Sequence, residues 1–360
     1  MVRRSSPQTV HLQNKQVELI LENSASARPI CEITLSSSYQ DMMNKHIVTG
    51  GAGFIGSALV RALLSPGDAT VAVIDNLSTG HRRNLDEVVG KIALHQVDIR
   101  DFSSIQKIVA GADTVFHIAA VPSVPKSIVD PVPSHESNID GTFNVLRACV
   151  EGKVRKVVYA ASSSAYGDTL ALPKVETMVP NPKSPYAAQK LMGEYYCSTF
   201  SSCYGLDATS LRFFNVYGPR QDPSSPYSGV ISVFMTCLLQ GTSPTIHGDG
   251  EQTRDFTYIE DVVDLVIKAS KAPGVAGKVF NAGNGNCYSL NEIWAILQKI
   301  EGVTIPAKYG PPRAGDVRDS QADTTAAMNE LGHSPRFSIE EGLRRTLAWY
   351  RESLVAANKA

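Results

Sequence analysis

The chain has 360 residues, of which 43% are hydrophobic and 19% charged, and its formal net charge at pH 7 is −1. A chain of this length can bury a large core and form two lobes, and its near-neutral charge excludes a bulk basic field for nucleic acid or an anionic membrane. No apolar run approaches the roughly 20 residues that a helix needs to span a bilayer.

The six cysteines are scattered along the chain, and none forms a C-x-x-C pair. This pattern matches neither the spacing of a zinc site nor a disulfide framework. We therefore predict free thiols, no bound metal and a cytoplasmic location.

Residues 1–42 differ in character from the rest of the chain. They contain several serines but no apolar segment of the kind that a secretory signal requires. We predict a disordered leader. An organelle transit peptide and a regulatory arm are alternatives, although Glu18, Glu22 and Glu32 are unusual for a transit peptide.

Regular periodicity begins at His46, where a short apolar strand runs into a glycine-rich turn. The turn and the first residues after it are Gly50, Gly53, Phe54, Ile55 and Gly56. A helix follows over Ser57–Leu64, and a second strand, Thr70–Ile74, ends at Asp75. The glycines permit a tight turn and let backbone N–H groups approach a pyrophosphate at the helix N-terminus. The pattern therefore predicts a dinucleotide site.

Asp75 stands where a carboxylate accepts hydrogen bonds from both ribose hydroxyls of a dinucleotide. A carboxylate at this place repels a 2′-phosphate, so we predict NAD rather than NADP as the cofactor. Arg82 and Arg83 lie nearby and weaken that choice slightly.

Strands and helices alternate over the next hundred residues. Strands are predicted at Ile92–Val97, Thr114–Ile118 and Val154–Ala160, and helices near Ser103–Ala110 and Glu136–Val150. This alternation implies an α/β fold with a doubly wound parallel Rossmann sheet. Ligands bind beyond the carboxyl ends of such strands. The candidate cofactor-binding residues at those ends are Asp75, Asn76, Asp98, Ile99, Ala119 and Ala120.

The stretch from Tyr159 to Lys190 carries the most chemistry. Three hydroxyls precede a tyrosine, Tyr186, that has Lys190 four residues later. On a helix both side chains lie on one face, and the lysine charge favours the phenolate, which lowers the pKa of the phenol toward the working range. A nearby serine can hold the substrate hydroxyl that loses its proton. The pattern predicts a site for alcohol chemistry.

Beyond Gly218 the pattern loosens into a second, smaller lobe. Helices are predicted at Val230–Leu239, Tyr258–Ser270 and Leu290–Ile300, with a strand at Val279–Ala282. We predict that the two lobes interleave: residues 43–215 form the NAD-binding domain, a segment near 255–283 returns to it, and 216–352 mainly form the C-terminal substrate lobe.

Six motifs occur in a characteristic order. They are Gly50-x-x-Gly53-x-x-Gly56, Asp98-Ile99, His117-x-Ala119-Ala120, Ser162-Ser-Ser-x-Tyr166-Gly167, Tyr186-x-x-x-Lys190 and Arg212-x-x-Asn215-x-x-Gly218. As a set they resemble the extended short-chain dehydrogenase/reductase family, and within it the UDP-sugar 4-epimerases. Further motifs resemble bacterial UDP-N-acetylglucosamine 4-epimerases most closely: Arg220-Gln-Asp-Pro223, Gly248-Asp-Gly-Glu-x-x-Arg254 and Gly315-Asp-Val-Arg318-x-Ser320.

The resemblance implies a homodimer that binds NAD and a UDP-sugar and inverts the sugar at C4 through a 4-keto intermediate. It implies that Tyr186 is the base at the sugar O4, that Ser162 hydrogen-bonds this oxygen, and that Lys190 holds the nicotinamide ribose. Ser163 and Ser164 either line the sugar pocket or stabilise the turn.

Four further positions match substrate-binding residues of the family. Asn215, Arg254 and Arg313 match positions that grip the diphosphate, for which the guanidinium fork is well suited. Arg254 has an ion pair with Asp255 as its alternative role. Ser320 stands where the family carries a large aromatic residue in enzymes restricted to glucose and galactose, so the resemblance implies room for a 2-acetamido group.

Three other functions compete with this prediction. A dehydratase or decarboxylase is disfavoured because Ser163 and Ser164 stand where acidic residues would be needed. Epimerisation of a UDP-uronic acid stays open, since Arg318 or Lys126 could meet a carboxylate. A non-catalytic NAD sensor is disfavoured by the complete set of Ser162, Tyr186 and Lys190.

Overall fold

Seven parallel strands form the central sheet of the protein, whose structure, a computed structural model, describes residues 10–12, 15–17, 45–222, 229–312 and 317–357. The strands in chain order are β1 (Val10–Leu12), β2 (Lys15–Val17), β3 (Lys45–Thr49), β4 (Thr70–Ile74), β5 (Ile92–His95), β6 (Thr114–His117), β7 (Lys156–Ser162), β8 (Asp207–Phe213), β9 (Asn215–Tyr217), β10 (Thr245–His247), β11 (Thr253–Arg254), β12 (Phe256–Tyr258), β13 (Val279–Ala282), β14 (Tyr288–Ser289) and β15 (Lys308–Gly310). The order in the central sheet is β13-β8-β7-β6-β3-β4-β5.

The helices cover both faces of this sheet. They are α1 (Phe54–Leu64), α2 (Phe102–Val109), α3 (Val124–Val129), α4 (Val132–His135), α5 (Gly141–Glu151), α6 (Pro185–Tyr204), α7 (Val230–Gln240), α8 (Ile259–Lys271), α9 (Leu290–Glu301), α10 (Thr325–Leu331) and α11 (Ile339–Ala357). The residues Arg82–Lys91 and Ser163–Tyr166 form 3₁₀ turns, and Glu136–Asp140 form a π turn.

Alternate residues of each central strand face opposite cores. Val48 and Val158 pack with α1 and α8, whereas Ile47 and Val157 pack with α2, α5 and α6. Strands that are buried on both faces favour β-branched residues, as these strands do. The doubly wound parallel α/β fold predicted from the sequence is confirmed.

The chain reverses its direction of travel across the sheet between β3 and β6. From β3 the sheet grows outward through β4 and β5, and after β6 it grows the other way through β7 and β8. In such sheets the crevice at the carboxyl ends of the two strands flanking the reversal is the place where a ligand binds.

Two of the differences between predicted and observed elements bear on the site. The strand predicted at Val154–Ala160 runs over Lys156–Ser162, because the N–H of Val154 donates to the carbonyl of Cys149 and closes the end of α5. The helix predicted over Glu136–Val150 begins as the π turn, and α5 starts at Gly141. The first shift places Ser162 inside β7, in register with Phe213.

Short strand pairs build the second lobe. They are β9 with β12, β10 with β15, and β11 with β14. The domain boundaries remain a prediction, and β13 lies in the central sheet beside β8. The predicted leader, residues 1–42, lies outside the described residues apart from the antiparallel pair of β1 and β2. Among the helices of the described ranges, none has the length and apolarity to cross a membrane.

Candidate active site

The glycine turn lies at the reversal point of the sheet, between the ends of β3 and β6. A Cβ atom at Gly50 would lie 2.7 Å from the backbone of Ala119, and one at Gly56 only 2.1 Å from the carbonyl oxygen of Gly50. Gly50 also has a φ of +71°, which favours glycine. Two backbone segments therefore lie so close together in this turn that only glycine fits at positions 50 and 56.

Helix α1 begins directly at this turn with its first N–H groups available. Its N-cap is Gly53, and no side chain caps the helix. Phe54, Ile55 and Gly56 form its first turn. Uncapped N–H groups at a helix N-terminus, approached through glycines, form a phosphate cradle. This part of the structure fits the pyrophosphate of NAD.

Asp75 organises the same turn from the end of β4. One carboxylate oxygen accepts from the N–H of Ala52 at 2.9 Å, and the other from the N–H of Leu77 at 2.8 Å. A carboxylate has about four acceptor positions, so each oxygen can still accept from a ribose hydroxyl. Asp75 is buried against this turn, which fits its predicted role toward the adenosine ribose of NAD.

Asn76 and Asp98 meet beside Asp75. The amide of Asn76 donates to Asp98 at 2.8 Å, and Arg100 donates to both oxygens of the same carboxylate. The hydrogen bond from Arg100 lowers the pKa of Asp98 to about 2. Ile99, also predicted to contact the cofactor, is buried and points into the core toward Gly141.

The end of β6 forms the opposite wall. The N–H of Ala119 donates to the Thr49 hydroxyl at 3.2 Å, and Ala119 and Ala120 are both half-buried. His117 bridges the hydroxyls of Thr49 and Thr142 at 2.8 and 3.0 Å. Burial lowers the pKa of His117 to about 3, so His117 is a neutral, packed residue rather than a catalyst.

Helix α6 carries Tyr186 and Lys190 on one face, as their spacing predicted. The helix is capped by Ser184, whose hydroxyl accepts from the N–H of Ala187, and Pro185 occupies its first turn. Tyr186 is half-buried, whereas Lys190 is 3% exposed. The Lys190 ammonium lies 4.7 Å from the ring centroid of Tyr159.

The pKa values of this pair differ from the expectation for the phenol. Burial raises the pKa of Tyr186, and a hydrogen bond with Ser162 acts in the opposite direction. Burial also lowers the pKa of Lys190 to about 8. The expected lowering of the phenol pKa is therefore not found in this structure, because loss of hydration disfavours the charged form of both groups.

Ser162 ends β7 and begins the serine turn. Its hydroxyl accepts from the Ser164 hydroxyl at 2.8 Å and from the Ser164 N–H at 3.2 Å. Ser163 and Ser164 both lie in the 3₁₀ turn after β7. Ser164 therefore stabilises the turn and orients Ser162, whereas its role in lining the sugar pocket stays a prediction.

Two of the predicted substrate residues, Asn215 and Arg254, lie on short strands of the second lobe. Asn215 begins β9, and its N–H donates to the carbonyl of Asp255. Arg254 ends β11 and donates to the carbonyls of Thr253 and Arg318 at 2.8 and 3.0 Å. Arg313 lies outside the described residues.

Asp255, the neighbour of Arg254, has a structural role. Its carboxylate accepts from the backbone N–H groups of Asn284, Gly285 and Ala322 at 2.7 to 3.1 Å. Asp255 is fully buried. These bonds attach the segment that carries Ser320 to the loop after β13.

Ser320 is held in place by backbone pairing. Its N–H donates to the carbonyl of Thr253 at 3.2 Å, and two positions further on Ala322 forms a bridge with Lys174. Ser320 is only 9% exposed. Because Ser320 is buried, the surrounding atoms limit the volume that its side chain can occupy. A larger side chain would displace a group packed against it.

A polar cluster between α6 and the π turn was not predicted. Gln189, Asn138 and Ser134 are buried and hydrogen-bonded to one another. Gln189 lies within the Tyr186-x-x-x-Lys190 motif, but its partners are about 50 residues away in the chain, so no local pattern indicated them.

A family model described as the NAD dependent epimerase/dehydratase family matches residues 46–283 of the chain. The chain is 39% identical over 310 residues to a UDP-glucose 4-epimerase of Mycolicibacterium smegmatis, covering 85% of this chain and 98% of that protein.

Two solved structures are similar over most of their length. One is a UDP-N-acetylglucosamine 4-epimerase from Methanobrevibacter ruminantium M1 in complex with UDP-N-acetylmuramic acid, with a TM-score of 0.83, 38% identity, and coverage of 86% of this chain and 99% of that chain. The other is a UDP-glucose 4-epimerase from Thermotoga maritima with UDP-glucose, with a TM-score of 0.82, 38% identity and the same coverage.

Proposed function

The chain belongs to the NAD dependent epimerase/dehydratase family, and from this premise we propose that it reversibly inverts C4 of UDP-N-acetylglucosamine and UDP-N-acetylgalactosamine. UDP-glucose and UDP-galactose are accepted as smaller substrates of the same pocket. The observation that carries the proposal is the packing of α6, which bears Tyr186 and Lys190, against β7 and the serine turn that bear Ser162 to Ser164.

The chemistry divides between cofactor and protein. When bound, NAD supplies reversible oxidation of the C4 carbinol. The phosphate cradle of α1 and the carboxylate of Asp75 would hold its pyrophosphate and ribose. Ala119 and Ala120 would line the wall beside it.

Tyr186 removes and returns the proton of the sugar O4. Ser162 holds that oxygen and orients it toward the phenol, and Ser164 in turn orients Ser162. Because burial raises the pKa of Tyr186, its phenolate is a strong base once formed. The buried charge of Lys190 favours that phenolate, as a positive charge beside an anion does.

The serine turn supports epimerisation over dehydration and decarboxylation. Dehydration and decarboxylation need an additional acid or base next to the sugar, and hydroxyls such as those of Ser163 and Ser164 do not ionise near neutral pH. These serines therefore leave proton transfer at O4 possible, but neither of them can act as the acid or base that expels water.

The ion pair of Arg318 supports a neutral sugar over a uronic acid. Arg318 donates to both carboxylate oxygens of Asp249 at 3.0 Å. A guanidinium that is engaged in such a two-point pair is less available to a sugar carboxylate.

Ser320→Tyr tests the choice of sugar. We expect the variant to lose activity on N-acetylated UDP-sugars, because the ring would occupy the volume of the acetamido group, and to keep activity on UDP-glucose. Turnover of both substrate classes is measured by proton NMR. Ser65→Tyr, the same change at an exposed serine, is the control. Equal loss of both classes in Ser320→Tyr, with Ser65→Tyr unaffected, would contradict a size filter at position 320.

A further inference from the structure

Gln189 is a buried amide on the helix that carries the proposed catalytic residues. It lies on α6 between Tyr186 and Lys190 and is only 4% exposed. A buried amide requires partners at both its oxygen and its nitrogen. Gln189 has both, and neither is on its own helix.

Both ends of the amide are hydrogen-bonded to residues 134–138, which follow the wall at residues 119–121. Its Oε1 accepts from Asn138 Nδ2 at 3.0 Å, and its Nε2 donates to the Ser134 hydroxyl at 3.0 Å. Asn138 lies on the π turn, and Ser134 lies on α4. π turns occur frequently at functional sites.

Asn138 is in turn hydrogen-bonded to the wall at residues 119–121. Its Oδ1 accepts from the N–H of Val121 at 2.8 Å, and its Nδ2 also donates to the carbonyl of Val121 at 3.2 Å. Val121 directly follows Ala119 and Ala120, which would line the NAD site. The wall at residues 119–121 is therefore connected by hydrogen bonds, through Asn138 and Gln189, to α6, which carries Tyr186 and Lys190.

The orientation of every amide in this chain of bonds is fixed. The backbone N–H of Val121 determines which atom of Asn138 is the acceptor, and Asn138 then determines the orientation of Gln189. At the other end the Ser134 hydroxyl donates to the carbonyl of Pro131 at 3.0 Å. A buried network with all members satisfied favours one arrangement of its parts.

A second contact joins the same two segments independently. The N–H of Tyr186 donates to the hydroxyl of Ser127 at 3.1 Å, and Ser127 is fully buried on α3. The first turn of α6 is thereby attached to α3, and its second turn to α4 and the π turn.

We propose that Gln189 is a positioning residue that fixes the separation between the cofactor wall at residues 119–121 and the pair of Tyr186 and Lys190. The inference rests on the proposed function, since it is the proton transfer at O4 that needs this separation. Gln189 acts through Asn138, since both ends of its amide are bonded to buried groups of the protein.

Gln189→Met tests this role, because methionine keeps the length of the side chain and removes both hydrogen bonds. We expect kcat to fall by on the order of 10²-fold with little change in KM, since a displacement of about 1 Å in a reacting pair has an effect of this size. We also expect faster amide hydrogen exchange at Val121. Ser134→Ala, which removes one partner and leaves Gln189 intact, should show both effects in smaller measure and serves if Gln189→Met does not fold.

Gln298→Met is the matched control. Gln298 also uses both ends of its amide, toward Trp294 and Ile305, but it lies on α9 in the second lobe. It should lower the melting temperature without changing kcat or exchange at Val121. If Gln189→Met, or Ser134→Ala in its place, behaves like this control, the positioning role is wrong. If the wild-type protein converts no UDP-sugar, the proposed function fails, whereas exchange at Val121 still decides whether Gln189 holds the wall.

Discussion

Lys190 is an ionisable residue at a buried position, where the loss of hydration disfavours its charged form. It is 3% exposed, and burial lowers its pKa from 10.5 to about 8. The Tyr159 ring under its ammonium offsets part of that loss of hydration through a cation–π contact. A charge of this kind is retained for function at the expense of stability.

Lys190→Met should therefore stabilise the NAD-free protein near neutral pH. Below pH 8 the lysine is charged in both the folded and the unfolded state, and the full penalty applies, about 3 kcal/mol for a pKa that differs this much between the two states. Between about pH 8 and 10.5 the unfolded state binds more protons, so the wild type gains stability as the pH rises. Urea unfolding across this range measures the difference.

Lys299→Met provides the control for this measurement, since Lys299 is exposed on α9. Its stability difference from the wild type should stay nearly constant over the same pH range. A difference between wild type and Lys190→Met that is equally constant would show that the lysine is not held in a costly charged state.

Tyr186→Phe should reduce turnover by about 10²- to 10⁴-fold, the usual contribution of a positioned acid or base. The phenyl ring preserves the packing on α6, so NAD should stay bound. Turnover is followed by proton NMR, and bound NAD by absorbance after the protein is denatured. Near-normal turnover would exclude Tyr186 as the base.

At the scale of elements, the turn between β3 and α1 depends on the absence of side chains. Gly56→Ala places a Cβ 2.1 Å from the carbonyl oxygen of Gly50, a backbone atom that cannot move aside without opening the turn. We expect this variant to lose most of its NAD on desalting and to unfold at lower temperature.

Gly90→Ala is the control for the turn. Gly90 lies in the exposed 3₁₀ turn Arg82–Lys91, and a Cβ there would meet no other described atom within 4 Å. NAD content should match that of the wild type. Full retention of NAD by Gly56→Ala would show that the close approach of the two glycines is not needed for the cofactor.

Elements with a strong internal pattern could be predicted from the sequence. The bounds of β4 and β13 match their predicted ranges, since both are apolar runs bounded by polar or turn residues. The two- and three-residue strands of the second lobe could not be predicted, because so short a run has no periodicity. Their pairing depends on distant partners, as in Asn215 with Phe256.

The candidate site divides in the same way. The spacing of motifs such as Tyr186-x-x-x-Lys190 indicated residues that the structure places on one face of a helix, and their roles stay a prediction. The hydrogen-bonded connection from Gln189 to Val121 had no such signal, because each member is unremarkable by itself. The direction of the Tyr186 pKa was also predicted wrongly, since the loss of hydration depends on burial that the sequence does not reveal.

At the scale of the whole molecule, the two lobes share one hydrophobic core. The cluster that contains Val48 of the central sheet continues through Phe234 and Trp294 to Leu347 of α11. An ion pair between Arg220 and Glu87 and a hydrogen bond between His81 and Asp222 also join the lobes, but a partly exposed ion pair contributes at most about 1 kcal/mol. Continuous packing therefore holds the two lobes together, and it contributes more to their relation than these surface contacts do.

The most direct test of the central claim is proton NMR of the purified protein with UDP-N-acetylglucosamine, observing the sugar ring protons over time. We predict conversion to UDP-N-acetylgalactosamine until a constant ratio is reached, and the same ratio from the opposite side. Tyr186→Phe under identical conditions shows that conversion occurs at this site. No inversion at C4 of the N-acetylated sugars, or inversion of a UDP-uronic acid alone, would contradict the account.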